Sequence, residues 1–381
     1  MNTQALHIGM LGFGAMGKTH AYAVTNLPYF YGSLPFSAAI DGVATTSPER
    51  AAAKIAPYGL RATTEEALLA DPNIDIIDIC TPNRFHAGTI RRALAAGKHV
   101  LCEKPLAVSA VEGAELAALA VQSGRVCRVV FNNRFLPAIM RAKQLIDEGK
   151  LGHILTFHAA YLHNSCCNPA KPAGWKQNAD ICGGGVLFDL GSHIVDLVRH
   201  LCGEFTAVSG MAQIGFPERA GMDGQPWKTN ADEAFYLLAE LACGARGTIV
   251  ASKLSTGAND DLTLDIRGTA GSIRFSLMEP NWLDFYDAAQ PGKPIGGLRG
   301  FTRIECVGRA PAPGGMFPSP KAPVDWLRGH IGSMYAFLDA VSRNDSTTGP
   351  TFADGAAVDA IMEAAYVSAQ SGRRVTLEDN R

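Results

Sequence analysis

Three groups of residues in this chain of 381 have types and spacings suited to chemistry. The first is Glu103-Lys104-Pro105, where a lysine ammonium could stabilise an oxygen on which negative charge develops. The second is Asp189, His193 and Asp196, spaced by four and by three. On a helix that spacing puts all three near one face. A histidine oriented by a carboxylate is the usual proton acceptor near neutral pH. The third is Gly12-Phe13-Gly14-Ala15-Met16-Gly17. Gly12 permits a sharp turn, Gly14 lets a pyrophosphate approach the backbone, and Gly17 lets the next helix pack close. That helix would offer its free N–H groups and partial positive charge to the phosphates. Each group also has a plainer reading. Glu103 and Lys104 could be a solvated pair, and His193 a half-buried helical histidine behind Asp189 as a cap. Three glycines at that spacing occur by chance in a glycine-rich chain.

The elements that must position these residues are legible in order. An apolar run, 6–11, leads into the glycine turn, and a helix continues to about Leu27. Further strands are expected at 38–45, 74–81, 98–103 and 126–131. Helices lie between them, one capped by Ser109 and closed by Gly124. Strands alternating with helices at this spacing predict a doubly wound parallel sheet over residues 1–130. Ligands bind beyond the carboxyl ends of such strands. Lys104 therefore faces the nicotinamide end of a dinucleotide, and Thr81, Pro82 and Asn83 stand at the mouth of the neighbouring strand. The second strand ends in Thr45-Thr46-Ser47, with Arg50 one turn beyond. Hydroxyls and an arginine, without a carboxylate, suit a 2′-phosphate and so favour NADP over NAD. The alternative is that Ser47 merely caps the helix starting at Pro48. Asp41 lies too early in its strand to serve the ribose.

Residues 131–381 change character. A helix at 137–148 and a strand at 154–162 precede a Gly-, Cys- and Pro-rich loop, 164–185, and a helix at 186–201. Strand-like runs follow at 206–214, 234–241, 246–254, 261–267, 272–277 and 282–287, with no helix between them. That succession predicts an open, mainly antiparallel sheet. Residues 291–323 read as a long surface excursion, and 324–343 and 353–371 as helices.

Composition narrows the function classes. Hydrophobic residues make up 47%, charged residues 18%, and the net charge is −2. Acids and bases are interspersed with no basic stripe, so nucleic acid is not an expected partner. No apolar run reaching the length of a membrane span is expected, and the N-terminal residues do not read as a leader. The nine cysteines contain no C-x-x-C and fit a reducing cytoplasm. Cys166-Cys167 lacks neighbours at ligand spacing, so no metal is expected there.

GFGAMGKTH (12–20), TPNRFH (81–86), AGKHVLCEKPLA (96–107), NRF (133–135), GGGVLFDLGSHIVDL (183–197) and GTAGSI (268–273) together resemble the Gfo/Idh/MocA oxidoreductase family. EKP followed by the later D-x-x-x-H helix is the most specific part. The resemblance implies a Rossmann domain, a C-terminal α/β domain whose sheet forms an oligomer interface, and a homodimer or homotetramer. It implies an NAD(P)-dependent dehydrogenase oxidising a secondary alcohol of a sugar, glycoside or cyclitol, or reducing the ketone. Lys104, Asp189 and His193 would then be catalytic, with His193 the general base and Lys104 the oxygen stabiliser. Glu103 and Asn83 would contact the cofactor, Thr81 and His86 would line the same groove, and Arg134 would face the substrate. Trp175-Lys176 stands where relatives carry Trp-Arg. Lysine lacks the planar fork of arginine, which weakens that cofactor contact. Two other readings stay open: a glycoside-cleaving enzyme that oxidises its sugar transiently, and a non-catalytic sugar sensor.

Overall fold

The computed structural model describes residues 4–221, 224–307, 323 and 325–377, without the side chains of Arg50 and Lys54. The chain forms two compact units. One holds the chain up to Phe135 and Leu327–Asp359; the other holds Leu136–Ala310 and the chain from Ala360 onward. The return of 327–359 to the first unit is absent from a single linear cut near residue 130. It follows from the apolar face of the helix Trp326–Ser342. Ile331, Met334, Phe337 and Leu338 of that helix share one buried cluster with Leu6, Ile8, Leu27 and Leu101.

In the first unit, β1 (Gln4–Leu11), β2 (Phe36–Ala44), β3 (Ala62–Thr63), β4 (Ile76–Ile79), β5 (His99–Cys102) and β6 (Cys127–Val129) form one sheet in the order β3-β2-β1-β4-β5-β6. Every pairing is parallel. The strand order reverses between β1 and β4, the switch point where doubly wound folds bind their ligands. Helices α1 (Ala15–Tyr31), α2 (Pro48–Ile55), α3 (Glu65–Ala70), α4 (His86–Ala95) and α5 (Ala110–Ser123) connect the strands. Ser109 does cap α5, its hydroxyl accepting the Glu112 N–H at 3.3 Å, and Gly124 closes it at φ +63°.

In the second unit, α6 (Pro137–Asp147) precedes a nine-stranded sheet. Its strands are β7 (Ile154–Leu162), β8 (Phe205–Gln213), β11 (Ala234–Leu241), β12 (Arg246–Ser252), β13 (Asp261–Gly268), β14 (Gly271–Ser276), β15 (Trp282–Asp287), β16 (Phe301–Glu305) and β17 (Val375–Thr376). A small hairpin, β9 (Glu218–Ala220) and β10 (Pro226–Lys228), stands apart. The large sheet is antiparallel except where β12 runs parallel to β7. Strand β16 lies inside the stretch expected to be a surface excursion. Its Phe301–Glu305 segment pairs with β15 at the sheet edge, its short alternation hidden by Gly and Pro on both sides. Residues 308–322 of that excursion fall outside the described residues.

The helix expected at 186–201 is a composite. A short α7 (Ala179–Cys182) is followed by a π-turn at Leu187–Gly191 and then α8 (Ser192–Cys202). Contrary to the sequence expectation, Ala179–Cys202 is long and apolar enough to cross a membrane. Yet 78% of its apolar window is buried within the protein, the behaviour of a core helix.

Candidate active site

The glycine turn has the geometry a dinucleotide needs. Gly12 adopts φ +93°, and a Cβ there would lie 2.6 Å from the Cys80 carbonyl oxygen. A Cβ on Gly17 would run into the carbonyl of Gly12. A Cβ on Gly14 would meet nothing within 4 Å, so open space borders the backbone where phosphates approach. Gly14 is the N-cap of α1 and supplies no side-chain acceptor, which leaves the first-turn amides to a ligand. Two hydroxyls beside this turn, Thr45 Oγ1 and Thr81 Oγ1, are buried with no hydrogen-bond partner among the described residues. Buried polar groups left this way are uncommon and fit a bound polar ligand. The residues present therefore fit a dinucleotide.

Ser47 occupies the N-cap position of α2, but its side chain makes no cap bond. Thr46 precedes it, and the side chain of Arg50 lies outside the described residues. Asp41 is engaged elsewhere: His7 Nδ1 lies 2.7 Å from its Oδ2.

Pro82 leads into a short 3-10 turn, Asn83–Phe85, in which Asn83 is buried. His86 is fully buried, and its ring nitrogens lie 2.9 Å from the carbonyls of Thr81 and Pro105. Burial pulls its pKa down against those two contacts, which raise it. These two contacts give His86 a structural role. It ties the loop after β4 to the loop after β5, and so ties Thr81 to the segment carrying Lys104.

Glu103 follows β5 and is buried. Its Oε1 lies 3.1 Å from His20 Nε2, and its Oε2 accepts the Lys104 N–H at 3.2 Å. Burial pushes the carboxyl upward, yet the hydrogen bond and charge of His20, with Lys104 and His330, bring it down to about 2. Arg134 follows β6 in a 3-10 turn, with its guanidinium 3.5 Å from Asp354 and over the Phe131 ring.

In the second unit the π-turn carries Asp189. The turn is anchored by Asp232, whose carboxylate accepts the N–H groups of Gly185 at 2.9 Å and Leu187 at 3.1 Å, and the Tyr366 hydroxyl. Burial raises the Asp232 pKa against those bonds. A Cβ on Gly185 would overlap the Asp232 backbone, so this close approach requires glycine. Asp189 Oδ1 accepts Lys176 Nζ at 2.8 Å, and Oδ2 accepts Lys253 Nζ at 2.9 Å. The sequence predicts that Asp189 orients His193 and faces the substrate. In the structure Asp189 is the shared acceptor of two ammonium groups, and Lys176 is bonded to it while lying 5.7 Å from the Trp175 ring. His193, on α8, meets the Tyr161 ring edge-on at 6.0 Å between centroids. Tyr161 donates to Asp260 at 2.5 Å, and His163 Nε2 lies 2.9 Å from the same oxygen. Burial pushes the Asp260 carboxyl up, but His163, Tyr161 and the charge of His193 hold it below the usual range.

Lys253, Asp232, Asp260 and His20 were missed by sequence reasoning. Lys253 had a faint signal, a lysine ending the alternating run 246–254. Asp232 and Asp260 stand in polar stretches that read as ordinary turns. His20 sat within a recognised motif without a stated role.

Residues 6–131 match the family described as "Oxidoreductase family, NAD-binding Rossmann fold", and residues 139–274 match "GFO/IDH/MocA C-terminal domain". The chain is 32% identical to a levoglucosan dehydrogenase of Pseudarthrobacter phenanthrenivorans, covering 95% of this chain and 96% of that one. It is 31% identical to a scyllo-inositol 2-dehydrogenase (NAD(+)) of Bacillus subtilis over 69% of this chain and 72% of that one. Among solved structures, a levoglucosan dehydrogenase in complex with NADH and levoglucosan superposes with a TM-score of 0.93 at 31% identity, covering 99% of this chain and 100% of that one.

Proposed function

The chain belongs to the Gfo/Idh/MocA oxidoreductase family, and from that premise we propose that it is an NAD-dependent dehydrogenase oxidising a secondary alcohol of a sugar or cyclitol. The observation that carries this reading is the full-length likeness to a dehydrogenase solved with NADH and levoglucosan. An anhydrosugar such as levoglucosan is accordingly the first substrate to test.

The glycine turn, Thr81 and Asn83 would hold the dinucleotide, and Glu103 its nicotinamide ribose. The cofactor, when bound, accepts hydride from the carbinol carbon, and the protein supplies position and electrostatics. Lys104 stabilises negative charge developing on the reacting oxygen. His193 accepts the hydroxyl proton as general base. Asp189 orients that histidine, and Arg134 addresses the substrate.

Three finer readings accompany this one. The strand end Thr45-Thr46-Ser47 admits NADP alongside NAD, supported by the absence of a cap bond from Ser47. A homodimer or homotetramer forms through the open face of the large sheet. Met211 and Leu238 are each 61% exposed there, and Tyr236 sits directly opposite Met211. Contiguous apolar exposure of this kind marks an interaction surface. All nine cysteines are free thiols, which supports a reducing cytoplasm as the location.

The test is a panel of anhydrosugars, hexoses, pentoses and inositols, followed by nicotinamide absorbance with NAD and with NADP. Stoichiometric NADH production with one polyol supports the proposal. Cleavage of a glycoside without net NADH, or sugar binding without turnover, overturns it.

A further inference from the structure

The first unit contains a buried cluster of charge in which His20 and Asp78 have no assigned role. His20 on α1, Asp78 on β4 and Glu103 after β5 are 1%, 1% and 6% exposed. A carboxylate in the middle of an apolar parallel strand is costly unless paired. Here Asp78 has both oxygens on His20 Nδ1, at 2.9 and 3.0 Å, while His20 Nε2 faces Glu103 at 3.1 Å. Each ring nitrogen thus points at a carboxylate. A neutral imidazole carries one N–H and can satisfy only one of them; an imidazolium satisfies both. Among the described residues the ring also meets the Cys80 thiol, 3.3 Å from Nδ1, and the buried His330 ring, 6.1 Å away between centroids. Burial pushes Cys80 up to about 12 and pulls His330 down to about 3, so both are neutral at pH 7. One further charge, the Lys104 ammonium, acts on Glu103 from the next residue.

We propose that His20 is a positioning residue for Lys104: a buried imidazolium that grips Asp78 with one ring nitrogen and Glu103 with the other. Glu103, held in place by it, accepts the Lys104 N–H with its second oxygen and so fixes the backbone from which Lys104 projects. The proposal rests on the reading of Lys104 as the oxygen stabiliser. The same side-chain atoms lie close enough together for two candidate metal triads, His20/Asp78/Cys80 and His20/Glu103/His330. A thiol held protonated is a poor ligand, and the two-carboxylate geometry already occupies both nitrogens of His20.

Two measurements decide it. In protein with isotope-labelled histidine, the ring-nitrogen spectrum, assigned by the loss of one signal set in His20→Gln, is expected to show His20 doubly protonated at pH 8. A neutral ring there, or one equivalent of zinc in the purified protein, overturns the proposal. This needs no substrate, so absence of dehydrogenase activity would count against the functional reading alone. The second measurement is a cycle of His20→Gln, Glu103→Gln and the double variant with NAD and levoglucosan. His20→Gln is expected to lower kcat at least tenfold and to change NADH affinity by fluorescence no more than Glu103→Gln does. The double variant is expected to be no worse than Glu103→Gln, because His20 acts through Glu103. Multiplicative losses overturn it. If His20→Gln fails to fold, His20→Gln with Asp78→Asn removes the facing carboxylate. Its kcat is expected to stay at least fivefold low, and wild-type kcat in that variant also overturns the proposal.

Discussion

Lys253 Nζ lies 2.9 Å from Asp189 Oδ2, with the lysine side chain 6% exposed at the end of β12. Burial alone would pull the lysine pKa down, but Asp189 raises it, so the ammonium stays charged. The carboxylate also carries the more exposed Lys176, so two ammonium groups more than balance its charge. The field that Asp189 exerts on its surroundings is therefore that of a small ionic cluster and not of a lone carboxylate.

Removing the buried member of that cluster should cost far more than removing the exposed one. Lys253→Met leaves a carboxylate with its main buried counter-charge gone, a loss of about 3 kcal/mol by analogy with other broken buried pairs. Lys176→Met breaks a solvent-screened bond and should cost less than about 1 kcal/mol. Thermal melting of both variants checks the order. Asp189→Asn combined with Lys253→Met should destabilise by less than the sum of the two single changes.

The loop after β7 is stapled by a second buried pair, Arg219–Glu233, with both side chains 2% exposed. Arg219 also donates to the carbonyls of Cys166 at 2.7 Å and Asn168 at 2.8 Å, while Glu233 accepts the N–H groups of Gly215 and Phe216. Arg219→Met should free the loop while leaving the sheet intact. Trypsin cleavage after Lys176 should accelerate at least tenfold, with little change in far-ultraviolet circular dichroism. Equal cleavage rates in the two proteins would show that the staple does not hold this loop.

At the ribose end of the cofactor, Thr46→Asp places a carboxylate where a 2′-phosphate would lie. Like-charge repulsion should shift the NAD:NADP ratio of kcat/KM toward NAD by at least about tenfold, ~1.4 kcal/mol. An unchanged ratio would remove Thr46 from cofactor selection.

What was legible in the sequence was local. The glycine turn, the Ser109 cap and the alternation along β7 and β11 to β15 each depend on residues a few positions apart. The pairs that hold the candidate residues in each unit are not local. His20 meets Asp78 across 58 positions and Glu103 across 83, and Tyr366 reaches Asp232 across 134. No periodicity encodes such meetings. The π-turn was hidden for a related reason: a helical pattern over 186–201 is indifferent to one widened turn, which Asp232 anchors from outside the segment through the Gly185 and Leu187 N–H groups. Strands β3 and β17 are two residues long, too short for any alternation to register.

The charged cluster around His20 also makes stability depend on pH in a defined way. Glu103 has its pKa lowered from 4.5 to about 2, so its contribution is present above about pH 4.5 and is lost as pH falls toward 2. That shift corresponds to about 3 kcal/mol at neutral pH. His20 has its pKa raised well above 6.5, burial being outweighed by Asp78, Cys80 and their hydrogen bonds. Its contribution has the opposite sign with pH: it is fully present below about 6.5 and is lost as pH rises through the raised folded value. Both contributions are therefore complete between about pH 5 and 6.5. The melting temperature of the wild type should exceed that of Glu103→Gln most clearly from there upward, and the gap should close on acidification. The gap between the wild type and His20→Gln should be widest in the same window and close on the alkaline side. If the Glu103→Gln gap were independent of pH between 3 and 7, Glu103 would not be ionised by this cluster, and the ionic account of how β4 and β5 present their loops would fail.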